Sequence, residues 1–276
     1  MVCHFAFSMK VLIIGCGAIG VTVARAIAKM DKIEKIYMFD KDTSCSAKLS
    51  ASVPKVEGCA NIDEKLDEVD LVIEAASQQA VKQYAPVALS RGKSILLMSI
   101  GALVDDAFRE QLEKLAKEKN CRIFLPSGAV AGIDALSAAS NAEIDEVILI
   151  SYKPPAAFRN VSYIEKKGID LDGMKNPTII FDGNAREAVQ YFPQNINVAA
   201  TVSLAGIGFE RTKVKLIADP TATRNMHKVI VKGAFGELET EIRNLPFPKN
   251  PRTSYVAALS AVSAVKNILG DVWVRV

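Results

Sequence analysis

The sequence is poor in the residues that build metal centres and disulfide frameworks. Its 276 residues include only two histidines and five cysteines. The cysteines form no C-x-x-C pair, and no H-E-x-x-H segment occurs, so neither a zinc site nor a disulfide scaffold is predicted. Unpaired thiols are typical of a reducing compartment. We therefore expect the protein to be cytoplasmic.

Long apolar runs and a strong charge of either sign are also missing. No apolar segment approaches the ~20 residues that span a membrane. With 34 Lys and Arg against 31 Asp and Glu, the net charge of +3 is too small to indicate nucleic-acid binding. Half of the residues are apolar, which is enough for one or two domains with a sizeable core. These features predict a small-molecule ligand, with no nucleic acid and no membrane as partner.

The segment KVLIIGCGAIG, residues 10–20, combines a buried-strand pattern with three spaced glycines. Gly15 permits a tight turn, Gly17 lets the backbone approach a pyrophosphate, and Gly20 lets the next helix pack closely on the strand. That helix, expected over residues 18–30, would point its N-terminal N–H groups at the phosphates. The predicted dinucleotide contacts in this loop are Gly15, Gly17, Ala18, Ile19 and Gly20.

An acidic residue follows the second predicted strand, Ile36 to Phe39. Asp40 lies twenty residues after Gly20, where a carboxylate can accept hydrogen bonds from the adenosine ribose hydroxyls. It would also repel a 2′-phosphate, whereas the neighbouring Lys41 would soften that repulsion. We therefore expect NAD as the cofactor, with NADP tolerated.

The pattern up to residue 126 alternates short apolar strands with helices of 10 to 16 residues. It predicts a Rossmann-type doubly wound parallel sheet with strand order 3-2-1-4-5-6. In DLVIEAAS, residues 70–77, the strand ends in small residues where such strands meet the cofactor, so Ala75, Ala76 and Ser77 are further candidate contacts. Ser77 is equally suited to cap the helix that follows.

Beyond residue 126 the pattern changes to β-like runs separated by turns with Pro and Gly, after an Ala-rich helix expected over 130–140. We predict a second, α+β domain over 127–249 with an antiparallel or mixed sheet, following a dinucleotide-binding domain over 1–126. One open face of that sheet would be a natural surface for a homodimer. Residues 250–276 are expected to form a C-terminal helix that packs back on the first domain.

Several longer motifs carry a family resemblance that covers nearly the whole chain from about residue 10. They are GCGAIG, EAASQQAV (74–81), LPSGAVAGIDAL (125–136), FPQNINVAATVSLAG (192–206) and the region from ADP through NMHKVIVKGAFGELE up to Glu239. Together they resemble the L-aspartate dehydrogenase family. The resemblance implies oxidative deamination of L-aspartate to iminoaspartate or oxaloacetate with NAD or NADP, commonly in NAD biosynthesis, by a homodimer.

The resemblance also implies roles for individual residues. The family's catalytic histidine falls on His227, and its nicotinamide contacts fall on Ala129 and Asn197. Taken alone, a single histidine on a strand is more often structural, although a neutral imidazole suits proton transfer. The substrate carboxylates require cationic or N–H donors, for which Asn195, Asn197 and Lys232 are candidates, with Arg224 a weaker one. The loop over 206–212, longer than in some relatives, is the one departure.

Two alternatives remain open at this point. One is a related two-domain reductase of the aspartate pathway, of the dihydrodipicolinate reductase or homoserine dehydrogenase type, which would share the first domain. The other is a non-catalytic NAD-sensing module, which would bind the cofactor tightly without turnover.

Overall fold

The computed structural model describes residues 8–193, 197–247 and 250–270, and the chain divides into two compact units. The first unit runs to Pro126 and takes in the chain again from Ala258, and the second runs from Ser127 to Ala257. Each unit is built around its own sheet. Asn195, one of the candidate substrate contacts, lies outside the described residues.

The first unit alternates strands with helices. Its strands are β1 (Met9–Ile14), β2 (Ile33–Phe39), β3 (Val56–Cys59), β4 (Leu71–Glu74), β5 (Ser94–Leu97) and β6 (Ile123–Phe124). Its helices are α1 (Ala18–Ile27), α2 (Thr43–Ser50), α3 (Asp63–Leu66), α4 (Gln78–Ser90) and α5 (Asp106–Glu118), with a 3₁₀ helix at Ile100–Val104. The six strands pair in parallel in the order β3-β2-β1-β4-β5-β6. The predicted doubly wound sheet and its strand order are confirmed.

Local sequence explains where these elements begin. Val11, Leu12 and Ile13 have no exposed surface, as expected for a parallel strand covered on both faces. Helix α4 begins where the Ser77 hydroxyl accepts a hydrogen bond from the Ala80 amide at 3.2 Å, which confirms Ser77 as its cap. This cap places the start of α4 directly after the small residues that end β4.

The second unit contains a five-stranded sheet. Its strands are β7 (Ile144–Lys153), β8 (Thr178–Asn184), β9 (Thr212–Ala218), β10 (Asn225–Gly233) and β11 (Gly236–Asn244), and a separate pair is formed by β12 (Pro246–Phe247) and β13 (Asn250–Ser254). The helices are α6 (Ile133–Ala139), α7 (Ser162–Lys166), α8 (Ala185–Tyr191) and α9 (Asn197–Ala205), with a 3₁₀ helix at Pro155–Phe158. Helix α10 (Tyr255–Ile268) starts in this unit and continues into the first.

The order of the second sheet is β11-β10-β7-β9-β8. Strands β7 and β9 are parallel and the other pairs are antiparallel, so the sheet is mixed, as the predicted fold class allowed. From Val147 to Lys153 along β7 and from Asn225 to Lys232 along β10, odd-numbered side chains are buried and even-numbered ones are half-buried or exposed. We call the side with the odd-numbered residues the covered face and the other side the open face.

Several boundaries differ from the sequence prediction; α1, for example, ends at Ile27 rather than near residue 30. Helix α6 begins at Ile133 rather than near Val130, because Gly128 and Gly132 take positive φ angles of 68° and 78° that a helix does not allow. Strands β12 and β13 were not predicted, and α10 begins directly after Ser254. Within the described ranges, no helix is long and apolar enough to cross a membrane.

Candidate active site

The glycine loop after β1 has no room for side chains at two of its three glycines. A Cβ on Gly15, whose φ is +106°, would lie 2.7 Å from the Ala75 carbonyl oxygen, and one on Gly20 would lie 1.9 Å from the Gly15 carbonyl oxygen. At Gly17, by contrast, a Cβ would meet nothing within 4 Å. The turn is therefore packed tightly against β4 and α1, while Gly17 faces open space where a phosphate can approach the backbone.

The Asp40 carboxylate is held at the end of β2 by two backbone amides. It accepts hydrogen bonds from the Cys16 amide at 2.6 Å and from the Asp42 amide at 2.9 Å. The hydrogen bond from the Cys16 amide links Asp40 directly to the glycine loop. Asp40 also lines an open pocket in the first unit, together with Ile14, Gly15, Phe39, Lys41, Ala76, Ser77, Gln79, Ala80, Gln83 and Tyr84.

This pocket brings together residues that the sequence placed in three separate motifs. Gly15 comes from the glycine loop, Asp40 from the end of β2, and Ala76 and Ser77 from the turn after β4. The open backbone at Gly17, the fixed carboxylate and the uncapped start of α1 fit a dinucleotide, with the pyrophosphate at the loop and the ribose at Asp40. Among the described residues, no cluster of His, Cys, Asp and Glu is suited to a metal ion.

The second unit carries an unusual group of buried polar side chains on the covered face and next to it. Its members are each at most 4% exposed: Ser151 and Lys153 on β7, Asn225 and His227 on β10, Asn244 on β11, and Ser254 at the end of β13. Because burial of polar groups is costly unless they are partnered, such a cluster is a candidate site. We refer to these six residues as the polar cluster.

His227 is the centre of the polar cluster. Its strand register pairs it with Ser151, whose Oγ lies 2.8 Å from Nδ1 of the imidazole. Burial first, and the Lys153 ammonium second, lower the pKa of His227 to about 3. The ring is therefore neutral at physiological pH and has one ring nitrogen available to accept a proton.

Lys153 was not identified from the sequence as a candidate. It is only 3% exposed and pairs in register with Ala218 on β9, next to the pair that Tyr152 forms with Met226 on β10. Lys153 and Ser151 are two positions apart on β7, so the Lys153 side chain lies on the face of the sheet that carries His227. The signal in the sequence was the alternation in VILISYK, which puts Ser151 and Lys153 on the same face as Val147 and Leu149.

Ala129, a candidate nicotinamide contact, lies in a buried loop that β11 holds in place. The Asn244 side-chain amide donates to the Ala129 carbonyl oxygen at 3.0 Å, and the Thr240 hydroxyl donates to the Ala131 carbonyl oxygen at 2.9 Å. Asn197, the other candidate, is the first residue of α9 and is half-buried. The polar cluster thus reaches the Ala129 loop through Asn244.

Lys232 does not lie with His227. The two residues are five positions apart on β10, so their side chains point to opposite faces of the sheet. The Lys232 side chain is 49% exposed on the open face, with its Nζ 3.4 Å from a carboxylate oxygen of Glu237. Arg224 is also exposed, just before β10.

Two family models match the chain, one on each side of residues 127–133. Residues 15–126 match the family model described as homoserine dehydrogenase, NAD binding domain, and residues 134–268 match the one described as aspartate dehydrogenase, C-terminal. The L-aspartate dehydrogenase of Methanosarcina barkeri is 48% identical over 96% of this chain and 98% of its own length. That of Methanocaldococcus jannaschii is 40% identical over 94% and 97%.

The crystal structure of aspartate dehydrogenase from Thermotoga maritima is similar with a TM-score of 0.72 and 30% identity, covering 97% of this chain and 98% of that one. The doubly wound sheet, its glycine loop and a second unit with a buried histidine define an NAD-dependent oxidoreductase of two-domain type. The chain belongs to the aspartate dehydrogenase family. The resemblance stated from the sequence is confirmed.

Proposed function

We propose that this protein catalyses the NAD-dependent oxidation of L-aspartate to iminoaspartate, which reacts with water to give oxaloacetate and ammonia. Relatives that match nearly the whole chain are named L-aspartate dehydrogenases. The structural observation that carries the proposal is the buried arrangement of His227 against Ser151 with Lys153 nearby. A neutral base beside a buried cation is suited to an amino-acid substrate with two carboxylates. The product would feed NAD biosynthesis, as the resemblance implies.

In this proposal His227 moves the proton of the reaction. The substrate ammonium must lose a proton before the Cα–H bond can break, and the imidazole can accept it once a substrate carboxylate at Lys153 offsets the charge that, besides burial, lowers the His227 pKa. If Nδ1–H donates to the Ser151 hydroxyl, then Nε2 carries the free lone pair. The same nitrogen can accept a proton from the water that attacks the imine. Bound NAD would supply the acceptor for the hydride that leaves Cα.

We further propose Lys153, rather than Lys232, as the cation for a substrate carboxylate. Lys153 is buried on the covered face beside His227, whereas Lys232 is on the open face beside Glu237. A carboxylate that pairs with a buried ammonium gains a stronger interaction than one at an exposed lysine, because water screens the exposed charge. Asn197 and Asn195 remain proposed donors to the substrate, and Ala129 and Asn197 remain proposed contacts of the nicotinamide.

The cofactor contacts proposed for the first unit are the glycine loop with Ala18 and Ile19, the Asp40 carboxylate, and the turn Ala75-Ala76-Ser77. The packing around Gly15 and the pocket that Asp40 lines support them. Because Asp40 is fixed by the Cys16 and Asp42 amides, its carboxylate is preorganised for a ribose diol. We propose NAD as the preferred cofactor, with NADP tolerated through Lys41.

A homoserine dehydrogenase activity is the alternative that one observation favours, since residues 15–126 match the NAD-binding domain model of that enzyme. The second unit, which would hold the substrate, matches the aspartate dehydrogenase model instead. A substrate panel separates the two. NADH formation at alkaline pH should occur with L-aspartate and be much slower with L-homoserine, L-glutamate and D-aspartate. Tight NADH binding without turnover of any of these amino acids would indicate a sensing module.

The open face of the second sheet supports a homodimer. Its central strands carry half-buried apolar side chains: Ile148, Ile150 and Tyr152 on β7 and Met226 and Ile230 on β10. Lys228, which pairs with Glu239, lies between the two on β10. Glutamates 237, 239 and 241 lie on β11 to one side, and lysines 213 and 215 lie on β9 to the other. A two-fold axis along β7 would bring the acidic side of one copy towards the basic side of its partner.

The dimer is tested by size-exclusion chromatography with light scattering, which should give about twice the chain mass of 29.8 kDa. Ile150→Glu should shift the mass to that of a monomer, whereas Glu113→Gln on α5 should not. A wild-type monomer at micromolar concentration would contradict the proposal.

We also propose that the protein is cytoplasmic, since the cysteines of the described ranges, Cys16, Cys45, Cys59 and Cys121, are free thiols.

A further inference from the structure

A buried carboxylate stands at the end of β4, next to the proposed cofactor turn. Glu74 has no exposed surface, and its register neighbours on the adjacent strands, Ile14 and Leu97, are both apolar. The rest of β4 is the buried apolar run Leu71–Ile73. A carboxylate in such surroundings costs free energy unless its oxygens are fully partnered.

The Glu74 carboxylate accepts four hydrogen bonds. Its Oε1 accepts from the Ala76 and Ser77 amides at 2.8 Å each and from the Ser99 hydroxyl at 2.9 Å, and its Oε2 accepts from the Ser99 amide at 3.0 Å. All four partners are donors, so they are satisfied by an ionised carboxylate, which only accepts. Burial raises the pKa of Glu74, and the donors from Ala76, Ser99 and Ser77 act against that rise.

These hydrogen bonds join two segments that follow neighbouring strands. Ala76 and Ser77 form the turn from β4 into α4, and Ser99 precedes the 3₁₀ helix at Ile100–Val104. The first segment packs on the glycine loop, since a Cβ on Gly15 would lie 2.7 Å from the Ala75 carbonyl oxygen and 2.9 Å from the Ala76 Cβ. The geometry of the turn therefore determines the space left at the loop.

We propose that Glu74 is a positioning residue for the dinucleotide. Its carboxylate holds the Ala76-Ser77 turn and Ser99 at fixed distances from the glycine loop. This proposal rests on the proposed function, because it takes NAD as the ligand. The side chain does not contact the cofactor in this role. It lowers the cost of ordering the turn when the cofactor binds.

The test compares Glu74→Gln with wild type by titrating NADH fluorescence. The glutamine amide is nearly isosteric, but its NH₂ group would oppose a donor, either at Ser99 or at the turn. We expect the NADH dissociation constant to rise about tenfold, with KM for L-aspartate changed less than twofold. Glu113→Gln, which removes a mostly exposed carboxylate on α5, should leave NADH affinity unchanged.

Amide hydrogen exchange provides a second readout that needs no cofactor. In Glu74→Gln the Ala76, Ser77 and Ser99 amides should exchange faster, while amides of β1 and β2 keep their protection.

If Glu74→Gln does not fold, Ser99→Ala removes one donor and should raise the NADH dissociation constant about threefold. Unchanged NADH affinity in a folded Glu74→Gln, or an even loss of protection across the first unit, overturns the proposal. Failure of the wild type to bind NADH would instead overturn the proposed cofactor, and the exchange experiment would still decide whether Glu74 holds the turn.

Discussion

Ser151 and His227 lie directly opposite each other on neighbouring antiparallel strands, and the Ser151 Oγ is 2.8 Å from the imidazole Nδ1. Both are buried, so water does not compete for this hydrogen bond. The contact fixes the ring orientation, and when Nδ1–H donates to the Ser151 hydroxyl, Nε2 is the nitrogen available for proton transfer.

Replacement of His227 by Asn should lower kcat by ~10² to 10⁴-fold, the usual contribution of a general acid or base. Asparagine keeps polarity and much of the volume but cannot accept a proton near neutral pH. NADH affinity should change little, since the proposed binding residues Gly15, Gly17 and Asp40 belong to the first unit. Steady-state kinetics and NADH titration measure the two effects. Near-wild-type turnover in this variant would make His227 a structural residue.

Replacement of Ser151 by Ala tests the orienting contact separately. Loss of one neutral hydrogen bond costs about 1 kcal/mol, so kcat should fall about five- to tenfold. The base itself remains, and the fall should therefore be far smaller than in the His227 variant. KM for L-aspartate and the NADH dissociation constant serve as controls and should be unchanged. An unaltered kcat would mean that the ring needs no support from the hydroxyl.

Lys153 and Lys232 offer a matched pair of substitutions. Lys153→Met should lower kcat/KM for L-aspartate about ten- to a hundredfold, because a charge-assisted hydrogen bond to a substrate carboxylate is lost. Lys232→Met removes the same charge from the open face of the same sheet and should leave kcat/KM within about twofold. Methionine retains most of the lysine volume, which limits packing effects. Equal losses in the two variants would contradict the role proposed for Lys153.

The sequence was most informative where function depends on local backbone. The glycine loop, Asp40 and the Ala75-Ala76-Ser77 turn each follow a strand that the apolar pattern predicts, and parallel strands bring their carboxyl ends to one edge. The meeting of Gly15, Asp40 and Ala76 around one pocket could therefore be predicted without a structure. The precise partners of Asp40, the Cys16 and Asp42 amides, could not.

The polar cluster could not be predicted from the sequence. Ser151 and His227 are 76 residues apart, and only the pairing of β7 with β10 brings them together. Nothing in the local sequence fixes that register, so Ser151 and Lys153 could not be assigned. The position of Lys232 was open to prediction, however, because residues separated by an odd number on a strand point to opposite faces.

Asp40 provides a test of cofactor choice. Asp40→Asn keeps an oxygen that can accept from the Cys16 amide, but it removes the negative charge and places its NH₂ group towards the Asp42 amide. The ratio of kcat/KM for NADP to that for NAD should rise roughly tenfold, because a 2′-phosphate is no longer repelled. Asp40→Ala also removes the acceptor, so it should weaken binding of both cofactors in addition. An unchanged ratio in both variants would show that Asp40 does not face the ribose.

The depressed pKa of His227 predicts a pH dependence of stability. The pKa of the imidazole is about 3 in the folded chain, against an ordinary value of 6.5. Between pH 3 and pH 6.5 the ring is therefore protonated in the unfolded chain and neutral in the folded chain. The contribution of His227 to the free energy of unfolding is therefore fully present above pH 6.5 and is lost as the pH falls towards 3. Between pH 7.5 and pH 5 the loss amounts to about 2 kcal/mol.

His227→Asn is the control for this effect, because it lacks the titrating ring and keeps every carboxylate of the chain. Urea unfolding at fixed protein concentration and at pH 7.5, 6 and 5 gives the free energy of unfolding of both proteins. The wild type should lose about 2 kcal/mol more than the variant over this range. Parallel curves would mean that the imidazole titrates alike in the folded and unfolded chain. In that case burial and the Lys153 charge would not suppress protonation of the ring in the folded chain.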